Sequence, residues 1–157
     1  MTIKKTEAAQ LLVDVVLLVF RLERGFIEAA ETIAAPAGLT AARWKVLGAV
    51  LDEPRTVAEI GRTMGLTRQS VQRLADVLVD EGLAAYQDNP AHRSAKLVTP
   101  SRSGRAAIDR LRERHTAWAN AVSKGVTARE LVTCKTMLAT LIERVERVER
   151  GGTPGES

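Results

Sequence analysis

Apolar residues recur at helical spacing from Thr6 to Ala34, at Leu11, Val15, Leu18, Leu22 and Ile33, with a second set at Leu12, Val16 and Val19. The pattern predicts one long helix whose apolar surface is too wide to hide against a small domain of its own. Ala34-Ala35-Pro36-Ala37-Gly38 breaks it, because proline disfavours helix in the residue before it and glycine carries little helical preference. Thr40 then fits an N-cap ahead of Trp44, Leu47, Val50 and Leu51, and this second helix stops at Asp52-Glu53-Pro54.

Thr56 followed by Glu59 has the spacing of a capping box. Val57, Ile60 and Met64 form the buried side of a two-turn helix that ends at Gly65, where a left-handed exit is available to glycine. Thr67 caps the next helix only two residues later. Its apolar side is Val71, Leu74, Ala75 and Leu78, its free side Arg68, Gln69, Gln72, Arg73 and Asp76, and its end Gly82. Two short helices joined by a tight glycine turn, with arginine and glutamine on the free side of the second, have the form of a helix-turn-helix.

Leu83 to Gln87 and Lys96 to Thr99 read as two short strands around the polar connection Asp88-Asn89-Pro90-Ala91-His92-Arg93-Ser94, a hairpin with a basic tip. Helix resumes after Ser101 to about Lys124, with Ala107, Ile108, Leu111, His115, Trp118 and Val122 along one side. Thr127 caps a last helix with the stripe Leu131, Cys134, Leu138, Leu141, Ile142, Val145 and Val148, in which Cys134 is expected to be a buried hydrophobe. The tail Gly151 to Ser157 offers nothing to bury and is expected to be disordered.

Charge sharpens this pattern. The net charge is +4, and the segment Arg55 to Arg105 holds eight basic against five acidic residues, a local surplus suited to a polyanion. The 157 residues are one domain's worth of chain. A single cysteine excludes an intramolecular disulfide, and His92, His115 and Cys134 lack metal-ligand spacing. An enzyme would need a nucleophile with its base, and no such motif occurs; no cofactor is expected. Five aromatic residues are too few for a single-strand stacking platform. The apolar run Leu11 to Phe20 spans ten residues and includes Asp14, well short of the about 20 needed to cross a membrane. Arg21, Glu23 and Arg24 interrupt any secretory signal, so a cytoplasmic location is expected.

In order and in motif the chain resembles the MarR family of dimeric transcription regulators. The resemblance runs from Thr6 to Val148 and rests on Arg43-Trp44-Lys45-Val46-Leu47, Thr56 to Gly61, Leu66 to Arg73, Leu78 to Leu83, and the wing-like Asn89 to Val98, with Ser101 and Gly104 opening the helix that follows. Where the family often has an acidic residue and two arginines at the wing tip, this chain has His92, Arg93 and Ser94, so only Arg93 carries over; Pro100 takes a position that is usually hydrophobic.

The resemblance implies a mainly α fold with minor β structure: a winged helix-turn-helix over residues 39–103, with helical dimerisation regions at 1–38 and 104–150. It implies a homodimer on a pseudo-palindromic double-stranded DNA operator, repression as the common mode, and release by a small anionic or aromatic effector. Arginine pairs with guanine and glutamine with adenine in the major groove, which makes Arg68, Gln69, Gln72 and Arg73 the base-edge candidates. Thr67 and Ser70, at the helix start, suit phosphate. Arg93 suits a minor groove, and Lys96 a phosphate beside it. Phe26, Trp44 and Trp118 are the effector candidates. The competing reading is a dimeric winged-helix module for protein contacts without specific DNA binding; a third is non-specific DNA coating.

Overall fold

A computed structural model describes residues 4–151. The expected disordered tail lies outside the described residues apart from Gly151. The chain divides into two compact units, the first ending at His115 and the second beginning at Thr116.

In the first unit, α1 (Glu7–Ala34) starts where the Thr6 hydroxyl accepts from the Ala9 amide at 3.1 Å and runs unbroken to the predicted stop. Pro36 lies where the break was expected. It sits inside a short 3-10 turn, Ala35–Ala37, which closes on Gly38 in the left-handed conformation. After it, α2 (Ala41–Ala49) is capped by Thr40. Next come β1 (Arg55–Thr56), α3 (Val57–Met64), α4 (Arg68–Asp80), β2 (Ala84–Gln87) and β3 (Leu97–Pro100). α5 (Arg102–Val122) begins in this unit and runs into the second, where α6 (Ala128–Glu149) follows.

The core of the first unit sits where α2, α3, α4 and β3 meet. Val46, Leu47, Val50, Ile60, Val71, Leu78 and Val98 have almost no exposed surface. Each contributes about 1.5 to 3 kcal/mol of apolar burial, which outweighs the weak intrinsic propensity of an eight-residue helix such as α3. Packing therefore holds the helix-turn-helix together, and no polar side chain is buried among the described residues.

The sheet has the order β1-β3-β2 and is antiparallel throughout. β1 was not visible in the pattern of the sequence. It is only Arg55 and Thr56, paired with Val98 and Leu97, and too short to show alternation. Pro100 closes β3 opposite Ala84 and is buried; a proline fits at a strand's end, where no amide is needed. The hairpin thus spans residues 84–100, one residue later at each end than the composition suggests.

Two side-chain links brace this unit. Arg43 Nη1 donates to both carboxylate oxygens of Glu81, at 2.6 and 2.5 Å, and Nη2 donates to the Gly38 carbonyl at 3.3 Å. The turn after α1 is thereby tied to the C-terminal end of α4. Ser101 donates its hydroxyl to the Gly82 carbonyl at 2.6 Å and accepts from the Gly104 amide at 3.0 Å, seating the start of α5 against the base of the hairpin.

The apolar row of α1 remains uncovered in the single protomer: Leu11, Leu17, Leu18, Phe20 and Leu22 are each at least half exposed. In the second unit α6 buries no residue, and Leu131, Ile142, Val145 and Val148 lie exposed. Cys134, expected to be buried, is exposed for the same reason. The sequence pattern identified an apolar stripe correctly, but one protomer supplies nothing to cover it. No helix among the described residues is long and apolar enough to cross a membrane.

Candidate nucleic-acid interface

The surface begins at α3. Its N-cap Thr56 and Glu59 form the predicted capping box: the Thr56 hydroxyl accepts from the Glu59 amide at 3.3 Å, and the Glu59 carboxylate accepts from the Thr56 amide at 2.7 Å. The Thr56 backbone amide, and next the Thr56 hydroxyl, which also donates to Glu59 Oε2 at 2.8 Å, hold the Glu59 carboxyl below the usual carboxylate range. Gly65, at φ +64°, then turns the chain out of α3 in a conformation that disfavours any residue with a Cβ. Only Leu66 and Thr67 separate it from α4.

At the start of α4 the Thr67 hydroxyl accepts from the Ser70 amide at 3.1 Å and donates to Ser70 Oγ at 2.9 Å. The Thr67 hydroxyl is thus committed to the cap. What remains for an anion at this end is the Ser70 hydroxyl proton and the free first-turn amides. Ser70 is half-buried, whereas Thr67, Arg68, Gln69, Gln72 and Arg73 are exposed. Val71, Ala75 and Leu78, on the opposite side, are buried. The polar row predicted to meet a base edge therefore faces away from the core along its whole length.

The hairpin contributes two groups in different places. Lys96 lies beside Arg68 and Gln72 in an open cleft, whose other walls include Thr56 at the start of α3, Tyr86 and Ser94. Arg93 stands apart at the tip, next to Asp88, Asn89 and Pro90, with no ion pair among the described residues. The tip is folded by its own sequence. The Asn89 side chain accepts from the Ala91 amide at 3.0 Å, and the Asn89 carbonyl accepts from the His92 amide at 3.2 Å. Two cations from two segments, Arg68 of α4 and Lys96 of the hairpin, thus line one cleft with Gln72, while Arg93 occupies the hairpin tip.

One group of residues here escaped sequence reasoning. Gln72 Nε2 donates to Asp76 Oδ1 at 2.9 Å and to the Tyr86 hydroxyl at 2.8 Å, while that hydroxyl donates to the same Asp76 oxygen at 2.5 Å. Partial burial, with the Asp76 carboxylate next in importance, pushes the Tyr86 hydroxyl up to about 12, so it keeps its proton. The four-residue spacing of Gln72 and Asp76 was legible as a helical pair. The arrival of Tyr86 from β2 was not, since it depends on how the hairpin folds back.

The aromatic candidates for an effector are less concentrated. Trp44 is half-buried and meets His115 edge-on, with ring centroids 5.1 Å apart and planes at 90°. Phe26 lies on the exposed row of α1, and Trp118 is half-buried on α5 in the second unit. No group of three His, Cys, Asp or Glu side chains among the described residues could hold a metal ion.

Residues 37–93 match a family model described as MarR family. An uncharacterized protein of Mycobacterium tuberculosis is 36% identical over 136 residues, 87% of this chain and 92% of that protein. Among solved structures, a mutant of MarR from E. coli complexed with operator DNA superposes with a TM-score of 0.68 at 20% identity, covering 87% of this chain and 99% of that one. CouR from Rhodococcus jostii RHA1, bound to p-coumaroyl-CoA, gives 0.65 at 21% identity, over 92% and 95%.

Proposed function

Because this chain belongs to the MarR family of transcription regulators, we propose that it is a sequence-specific double-stranded DNA-binding repressor that acts as a homodimer and is released by a small effector. The observation that carries this reading is the exposed row Arg68, Gln69, Gln72 and Arg73 on a helix whose other side is buried. Arginine presents a planar fork that matches guanine O6 and N7, and glutamine can pair with adenine. Ser70 and Lys96 serve the phosphate backbone, Thr67 contributes to it through the main-chain amides that its cap leaves free at the helix start, and Arg93 serves the narrow minor groove beside it.

One such reader spans only a few base pairs. A two-fold dimer placing two of them about 34 to 36 Å apart, one turn of duplex, gives the affinity a single copy lacks. The exposed apolar row of α1 and, separately, that of α6 are each the kind of surface a second copy covers. Residues 1–38 and 104–150 are accordingly the dimerisation regions in this reading, and 39–103 the DNA-binding region. For the effector, p-coumaroyl-CoA on CouR supports an anionic, partly aromatic ligand. Phe26, Trp44 and Trp118 are retained as aromatic contacts, each to be tested singly.

Selection of bound sequences from a random duplex pool, followed by titration of the selected site at several salt concentrations, tests the reading. We expect a pseudo-palindrome and an affinity that falls steeply with salt. Equal affinity for selected and random duplex would reduce the activity to DNA coating, and absence of duplex binding would leave a protein-contact module.

A further inference from the structure

Resting on the reading of α4 as the helix that enters the major groove, we propose that Asp76 and Tyr86 are positioning residues. They fix the side-chain amide of Gln72 with its carbonyl oxygen toward the base, so that Gln72 selects an exocyclic amino group, adenine N6 or cytosine N4, on the strand it faces.

The argument concerns which way round the amide must sit. Gln72 Nε2 lies 2.9 Å from Asp76 Oδ1 and 2.8 Å from the Tyr86 hydroxyl. A carboxylate has no proton to give. The one proton of the Tyr86 hydroxyl is already donated to Asp76, at 2.5 Å. Both neighbours of the amide are therefore acceptors, and only its nitrogen can face them. Turning the amide over would set Oε1 against a carboxylate oxygen and a hydroxyl with no proton to spare, so the orientation follows from chemistry and not from the shape of the side chain.

Gln72 Oε1 has no hydrogen-bond partner among the described residues, and Gln72 is exposed in the cleft shared with Arg68 and Lys96. The second oxygen of Asp76 lies one helical turn further on, also exposed and also an acceptor. In the major groove adenine and cytosine present an amino donor, whereas guanine O6 and N7 and thymine O4 only accept. A freely rotating glutamine can serve either kind of edge by turning over. The anchored one cannot, and it sits between arginines at 68 and 73 that suit guanine. The helix surface is thus divided into donor and acceptor segments. A Gln–Asp pair on one helix is by itself a weak constraint; the hydroxyl arriving from β2 provides the third point that fixes the amide.

The test is duplex selection with the full chain as wild type and as Gln72→Ala, Tyr86→Phe and Asp76→Ala. Circular dichroism and melting confirm that each variant is folded; Asp76 is exposed, so Asp76→Ala removes the anchor without touching the core. Wild type is expected to select one base pair at one position per half-site and to lose affinity when the amino group of that pair is removed, and Gln72→Ala to make that position indifferent. Tyr86→Phe and Asp76→Ala should admit guanine or thymine there, with discrimination reduced roughly threefold to tenfold and other positions unchanged.

The contact is read on duplexes in which the adenine or cytosine of the Gln72-dependent base pair is replaced by its analogue without the exocyclic amino group, purine for adenine or pyrimidin-2-one for cytosine; wild-type affinity unchanged by that loss overturns the proposal. So does an unaltered preference in both anchor variants, or an affinity lowered uniformly for all sequences, which marks a structural role. A selection profile that Gln72→Ala leaves untouched overturns it as well. In each of these cases DNA recognition itself stands. Failure of the wild type to enrich any sequence would instead overturn the underlying reading, and this proposal with it.

Discussion

Gly104→Ala adds one methyl group where the first turn of α5 passes the base of the hairpin. A Cβ built at Gly104 would lie 2.0 Å from the Leu83 carbonyl oxygen, 3.0 Å from the Leu83 carbonyl carbon and 3.3 Å from Leu47 Cδ2. The nearest atoms belong to the backbone, so no rotamer change relieves the clash. α5 and residue 83 must separate by about 1 Å to restore a contact near 3 Å. The Leu83 oxygen also accepts from the Ser101 amide at 3.0 Å, a bond that such a shift strains.

The expected balance is an overpacking cost of about 1 to 3 kcal/mol plus about 1 kcal/mol for the weakened hydrogen bond. Up to about 1 kcal/mol returns from the better helix propensity of alanine. A net loss of about 2 kcal/mol corresponds to a melting temperature lower by roughly 4 to 8 °C for a chain of this size. Gly48→Ala is the control: Gly48 lies in α2, is exposed, and an added Cβ meets nothing within 4 Å. Alanine there should stabilise by about 0.5 to 1 kcal/mol. Melting both variants by circular dichroism at one fixed protomer concentration makes the comparison, since the proposed dimer would couple stability to concentration. If Gly104→Ala melts within experimental error of wild type, or rises together with Gly48→Ala, the close passage of α5 over Leu83 is not a feature of the folded protein.

Four further outcomes are expected. A double-mutant cycle of Arg43→Ala and Glu81→Ala should give a coupling of about 1 kcal/mol, reduced by the partial exposure of Glu81 but supported by the two-point geometry; strictly additive effects in urea unfolding would dismiss the brace. Arg93→Ala should weaken operator binding by about 1 to 3 kcal/mol with the melting temperature unchanged, and equal gel-shift affinities would remove the hairpin tip from recognition. Leu18→Glu places a charge on an uncovered leucine of α1 and should yield monomers in analytical ultracentrifugation, a persisting dimer excluding this row from the interface. Glu59→Gln tests the cap: because the folded carboxyl titrates below its ordinary value of 4.5, its stabilisation is present above that value and is lost as pH falls through the lowered one. The stability difference from wild type should therefore shrink on acidification, and a constant difference between pH 7 and 3 would refute the assignment.

Local chemistry was the most legible part of this sequence. Threonines at 40, 56, 67 and 127 each cap the helix expected of them, because an N-cap needs only its own neighbours within three residues. The Thr56–Glu59 box and the Gly65 turn follow for the same reason. What was not legible depends on residues far apart in the chain. β1 exists because β3 offers it an edge, and Tyr86 reaches Gln72 only after the hairpin folds back on α4. The exposure of Cys134 reflects another limit: an apolar stripe announces that it will be covered but not by which molecule. Of the interface, the residues of α4 were readable from one helical face, while the neighbourhood of Lys96 with Arg68, and the separation of both from Arg93, required the fold.

Thr56 has two duties at once: it is the last residue of β1, paired with Leu97, and the N-cap of α3. Sheet and first helix are therefore soldered at a single residue, while Tyr86 pins the other outer strand to α4. Hairpin and reading helix move as one tool with a fixed profile, like the bit of a key. In the proposed dimer, adjustment to an operator then lies in how far apart two such bits are held, and a mutation that retunes the hairpin alone will blunt the helix with it.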